Sequence, residues 1–244
     1  MPRRFSSSPN TSGSDLLNSA ESMRKSLILI PDTCVLLDIV RAPVRREFSQ
    51  DNALAVLEIL RLVRCATGAV QLIVPPVVRE EFEQNLATVV QDATQELERI
   101  FSTHAHANAT LALLLSREEH PRSDGAMQLI NRCRELASEI LGQAKQMATI
   151  DKDLTLAAHR SMRGHAPAKR GKSSLGDCLI TEFALRLSNE NSGSGNPSVI
   201  LISSNTADYC HGRRLIDSLQ VEFDAARLGY CRNWAEARWS IPAS

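Results

Sequence analysis

Apolar residues fall along this chain in two rhythms. Short unbroken aliphatic runs at residues 27–30 (Leu-Ile-Leu-Ile), 70–74 and 199–202 end in turn-forming residues. Runs of this kind suit strands buried on both faces of a parallel sheet. Between them, apolar positions recur at helical spacing. Residues 52–65 read as an amphipathic helix with Leu54, Leu57, Leu60 and Val63 on one face, stopped by Gly68. Pro75-Pro76 closes the second run, and Pro76 is well placed to open a long acidic helix running from Val77 through at least Phe101. Residues 34–37 begin a helix or a loop leading into one. Further helices are expected over 126–150, 175–187, 215–219 and 233–239, and a last short strand near 221–223. Alternating strands and helices imply parallel pairing through right-handed crossovers, hence an α/β fold.

The pattern also divides the chain. Residues 1–24 are rich in Ser and Asn and poor in apolar residues; they cannot bury enough surface to offset ordering entropy and are expected to form a flexible tail. Residues 25–244 then form one α/β domain, with a helical insertion at about 84–158. Residues 159–172 break the helical rhythm with Arg160, Arg163, Lys169, Arg170 and Lys172 and no acidic residue, and read as a basic loop.

Composition changes this picture little. Aromatics make up 4% of the 244 residues, so the core must be aliphatic. Lys+Arg and Asp+Glu both number 28, so any nucleic-acid affinity must come from a local patch. None of the six cysteines pair as C-x-x-C or sit at zinc-finger spacing, which points to reduced thiols. No stretch approaches the roughly 18 apolar residues of a membrane span, and Arg3-Arg4 lead into no apolar segment of signal-peptide type. The expectation is a soluble, cytoplasmic protein with no membrane partner.

In an open parallel sheet, ligands bind beyond the carboxyl ends of the strands. Asp32 lies just past the first aliphatic run, Asp208 just past the third, and Glu81 one helical turn past the second; Asp177 opens a helix after the basic loop. Each acid has a plain reading as a turn or first-turn helix residue. Gathered at one edge, however, they would repel one another unless a cation neutralised them, and hard oxygen donors suit Mg²⁺ or Mn²⁺.

Four segments carry these acids: Ile30-Pro31-Asp32-Thr33-Cys34, Val74-Pro75-Pro76-Val77-Val78-Arg79-Glu80-Glu81-Phe82, Gly176-Asp177-Cys178-Leu179-Ile180 and Ser203-Ser204-Asn205-Thr206-Ala207-Asp208-Tyr209. In order and context they resemble the four acidic motifs of PIN-domain nucleases, over about 27–82 and 173–223. The resemblance implies a PIN-like three-layer fold with a central parallel sheet. It also implies metal-dependent hydrolysis of phosphodiesters, usually in RNA, with one or two Mg²⁺ or Mn²⁺ ions. Carried over by position, Asp32, Glu81 and Asp177 would be central metal ligands, and Asp208 would complete the site directly or through water. Thr33, Ser204 and Asn205 would be polar support. Of the adjacent acids Glu80 and Glu81, the second is preferred because it precedes Phe82. Cys34 stands where the family often has Asn or Ser to hydrogen-bond a neighbouring acid.

Arg163, Lys169, Arg170, Lys172 and Arg213 are the candidate contacts to a nucleic-acid backbone, with Lys172 placed nearest the site. Asp38 reads as a solvated surface acid and Glu182 as structural. The candidate partners are RNA or single-stranded DNA, an antitoxin or other protein, and a second copy of the chain; the setting would be a toxin-type or defence-linked endoribonuclease. Two rivals stand beside this reading. One is a non-catalytic PIN-like module that binds RNA or protein. The other is a phosphohydrolase with an aspartyl nucleophile, whose chemistry commonly wants a second acid where this chain has Cys34.

Overall fold

The structure is a computed structural model describing residues 26–65, 68–115, 125–169, 174–191 and 197–242. The expected tail 1–24, Arg170 and Lys172 lie outside the described residues. The first strand, β1 (Leu27–Pro31), is buried at every position, as its unbroken aliphatic sequence requires. The helix α1 (Thr33–Val40) follows at once and is buried nearly all round. Next comes α2 (Gln50–Arg64), capped by the Ser49 hydroxyl, which accepts from the Asn52 amide. Its buried face is Asn52, Ala55, Val56, Ile59 and Leu60. Leu54 and Leu57 are exposed, contrary to the expected face. A strict three-residue step drifts round a 3.6-residue helix, whereas the observed set follows three- and four-residue steps along one stripe.

Strand β2 (Val70–Val74) leads into α3 (Pro76–Leu115), a 40-residue helix that runs well beyond the expected 77–101. Its buried positions end at Leu97, and Leu113 is 83% exposed. The helix α4 (Ala126–Gln143) stops seven residues short of the expected 150. There the Arg79 guanidinium donates to the carbonyls of Leu141 (2.8 Å) and Ala144 (2.7 Å), closing the helix end. The chain then forms the two-residue strand β3 (Lys145–Gln146), and the Met147 amide bonds the Val74 carbonyl at 3.0 Å. The segment expected as a helical insertion thus contributes Ile130, Ala137, Ile140 and Leu141 to the main core and a strand to the main sheet.

The helix α5 (Asp151–Arg163) ends at Gly164 in the left-handed conformation (φ 65°). Residues 159–163 of the expected basic loop are therefore helical, and Arg160 is buried against Glu182 and Glu222. Then come α6 (Leu175–Glu190), β4 (Val199–Ile202), the short α7 (Thr206–Tyr209) and a hairpin of β5 (Cys210–His211) with β6 (Arg214–Leu215). The strand expected near 221–223 is helix: α8 (Asp217–Ala226) buries Leu219 and Phe223, one helical turn apart. The helix expected at 215–219 is the start of this one from Asp217 onward, while Leu215 lies in β6. The last strand is β7 (Leu228–Cys231), entered through Arg227 at φ 54°, and α9 (Trp234–Trp239) ends the described chain, capped by Asn233.

The main sheet is all parallel, in the order β3-β2-β1-β4-β7, with helices on both faces. Leu29 pairs with Leu72 on one side and Ile200 on the other, which places β1 at its centre. Order reverses at β1: the chain passes from it to β2 and returns to its other side through β4. That crevice is where a ligand site forms in such sheets. The α/β fold with a central parallel sheet agrees with the expectation from sequence. No helix among the described residues is long and apolar enough to cross a membrane.

Candidate metal centre

Asp32 leaves the carboxyl end of β1 and is 3% exposed. Its Oδ2 accepts from the Ser203 hydroxyl (2.7 Å) and from the Cys34 thiol (3.1 Å). The pairing of β1 with β4 matches Pro31 with Ile202. The next step in that register sets Asp32 beside Ser203, and the Asp32 amide bonds the Ile202 carbonyl at 2.9 Å. Cys34 therefore fills the supporting position after all. Burial and the neighbouring Asp32 charge push its thiol pKa up, so it stays protonated and donates. Its sulfur also accepts from the Ser204 amide at 3.2 Å, tying the first acidic segment to the fourth.

Glu81 projects from the second turn of α3, and Glu80 beside it is exposed. The Thr33 hydroxyl donates to Glu81 Oε2 at 2.8 Å. The other carboxylate oxygen lies against Gly176: a Cβ there would stand 2.2 Å from Glu81 Oε1. The glycine before Asp177 thus makes room for an acid from a different segment. Burial, with the charges of Asp32 and Glu80, raises the Glu81 carboxyl, partly offset by the Thr33 hydrogen bond.

Asp177 sits in the first turn of α6. The Asn205 amide group donates to Asp208 Oδ2 (3.0 Å) and reaches Asp177 Oδ2 (3.5 Å), spanning two acids. Burial pushes the Asp177 carboxyl up to about 7, helped in turn by the charges of Asp32, Asp208 and Glu81. Each of the other three acids is thus close enough to act on Asp177 electrostatically. Asp32 is raised as well, by burial, against the pull of its hydrogen bonds. Asp208 is buried, and Lys169 Nζ lies 2.7 Å from its Oδ1.

Several residues stand elsewhere than the sequence suggested. The Ser204 hydroxyl donates to Asp38 Oδ2 at 2.6 Å, and so supports Asp38 rather than Asp208. Asp38 is not a solvated surface acid: it is buried and also paired with Arg45. Ser203 and Tyr209 were missed. The Tyr209 hydroxyl donates to the Asp177 carbonyl at 3.2 Å and pairs with the Thr181 hydroxyl at 3.0 Å, joining α7 to α6 beneath the site. Strand register could have signalled Ser203, but only once the pairing of β1 with β4 was known. Arg163 is exposed at the end of α5, and Arg213 is exposed in the turn of the small hairpin.

The donor set suits a hard divalent cation: carboxylates dominate, and three of them are raised by burial or mutual repulsion. Among the described residues, however, no three His, Cys, Asp or Glu side chains stand as a ready-made metal site. Thr33, Ser203, Asn205 and Lys169 occupy carboxylate oxygens instead.

Fold and site together define an α/β protein with a four-acid edge at the switch point of a parallel sheet. The family model for the PIN domain matches residues 29–209, a span that holds all four acids. The chain belongs to the PIN-domain family, whose fold is of nuclease type. No curated protein and no solved structure matches it significantly.

Proposed function

We propose that this chain is a Mg²⁺- or Mn²⁺-dependent nuclease, an endoribonuclease that hydrolyses RNA phosphodiesters at Asp32, Glu81, Asp177 and Asp208. One observation carries the reading. Burial at the carboxyl edge of the sheet, joined by the charges of Asp32, Asp208 and Glu81 from three other segments, drives Asp177 up to about 7. Burying a carboxylate beside three others is costly, and a bound cation offsets that cost. A divalent ion held by these carboxylates would supply an acidified water and charge for the scissile phosphate. Ser203 and Cys34 orient Asp32, Thr33 orients Glu81, and Asn205 spans Asp177 and Asp208.

A second reading has its own support: a PIN-like module that binds RNA or a protein partner without cleaving. The pairing of Asp208 with Lys169 and the lack of a ready-made ion site among the described residues favour it. One experiment separates the two. Purified protein is incubated with end-labelled RNA and Mn²⁺, alongside Asp177→Asn. Metal-dependent cleavage by the wild type, lost in a variant with an unchanged melting profile, supports the nuclease. RNA retention without cleavage, alike in both proteins, supports the binding module.

A further inference from the structure

Lys169 does more than line the approach to the site. Its ammonium lies on Asp208 Oδ1 at 2.7 Å and donates to the Ala207 carbonyl. The chain that delivers it is fixed. Gly164 ends α5, Arg160 Nη1 donates to the Ala166 carbonyl (2.7 Å), and the Ala168 amide bonds the His165 carbonyl (2.9 Å). Ala168 is buried with Ala157, Cys178 and Leu179. The anchor therefore ends one residue before Lys169, on the body that carries Asp177. The Asp208 side chain is 8% exposed and the Lys169 side chain 45% exposed. The acid is held, while the lysine, a flexible stem with a readily hydrated tip, can leave.

We infer that Lys169 is a displaceable internal counter-ion of the acidic edge: it holds Asp208 in the metal-free protein and competes with the divalent cation for that carboxylate. The inference rests on the metal-site reading above. A divalent ion drawn to Asp208 meets the Lys169 charge already on Oδ1, so ion binding weakens that pair and drives Lys169 toward solvent. Affinity for the ion then carries the cost of breaking this pair, and Lys169 sets it without being a ligand.

Isothermal titration calorimetry with Mn²⁺ tests this in wild type, K169M, K169R, D208N and K169M/D208N, each checked by thermal melting, with K169Q as a second neutral variant. K169M and K169Q should tighten Mn²⁺ binding by roughly 3- to 10-fold, a modest coupling because the lysine is half exposed. K169R, which keeps the charge, should stay within about twofold of wild type, and adding K169M to D208N should change affinity by less than about twofold. Unchanged or weaker binding by K169M and K169Q overturns the competition while leaving the metal site standing. A full gain retained in the D208N background also overturns it, since the effect would then be a general field. Absence of Mn²⁺ binding by the wild type overturns both readings.

Discussion

Gly176 shows how much chemistry can rest on a missing methyl. The side chain it lacks would meet Glu81 Oε1 at 2.2 Å, and the atom in the way is the far end of a flexible side chain. Gly176→Ala should therefore fold without difficulty, because alanine favours a helix by about 1 kcal/mol over glycine. The same change should drive the Glu81 carboxylate out of the site. The expected result is a melting temperature unchanged or slightly raised, with Mn²⁺-dependent cleavage cut by at least roughly tenfold. Full activity in this variant would show that Glu81 is not needed where it stands. Asp177 gives a second prediction. Its carboxyl is raised from 3.8 to about 7, so between those values the folded chain keeps a proton that the unfolded chain has released. Stability of the metal-free protein should then fall as pH rises through this window and level off above it. Mn²⁺ affinity should run the opposite way, rising to about pH 7, because the ion needs the deprotonated form. Chemical denaturation in chelator and metal titration, each at about pH 5 and about pH 8, check both signs. A metal-free protein that grows more stable with rising pH would contradict the assignment.

Among elements, the end of α4 depends on a single side chain. Arg79 satisfies the Leu141 and Ala144 carbonyls, and the chain turns there into β3. Arg79→Met should cost about 1–3 kcal/mol by leaving those acceptors unpaired, read from the urea midpoint, with amide exchange speeding up first around 141–147. An unchanged midpoint would mean water replaces the guanidinium at no cost. This junction also shows where sequence reading stops. The strands β1, β2 and β4 were legible because aliphatic residues fill every position. Lys145 and Gln146 carry no apolar signal, since an exposed edge strand buries neither face, so the sequence pattern runs the helix straight through β3. Residues 221–223 erred the other way: Val-Glu-Phe alternates like a strand, but Leu219, Phe223 and Ala226 make the buried stripe of a helix. The acids were found because each follows a strand end or opens a helix, which local sequence reveals. Ser203 on Asp32, Ser204 on Asp38 and Lys169 on Asp208 depend on register and loop course, which it does not.

Across the whole molecule, the two ends of the described chain are fastened to each other. Trp234 of α9 is 1% exposed, and its indole N–H donates to the Val35 carbonyl of α1 at 3.0 Å. Asn52 of α2 accepts from the Ala235 amide at 3.0 Å. Trp234→Ala should destabilise the protein by about 3–5 kcal/mol, seen as one cooperative transition moved to lower denaturant. A separate early transition of α9 alone would show that this fastening is not part of the core. The strand order carries a consequence for synthesis. The first strand made, β1, is the middle of the finished sheet, and one of its two neighbours is β4, so residue 31 must wait for residue 202. Asp32 likewise waits for Ser203. A chain emerging from the ribosome can place Asp32 and Glu81 early, yet it has no Asp177, Ser203 or Asp208 to close the edge. On the nuclease reading proposed above, a growing polypeptide of this design stays unarmed until residue 208 has been made.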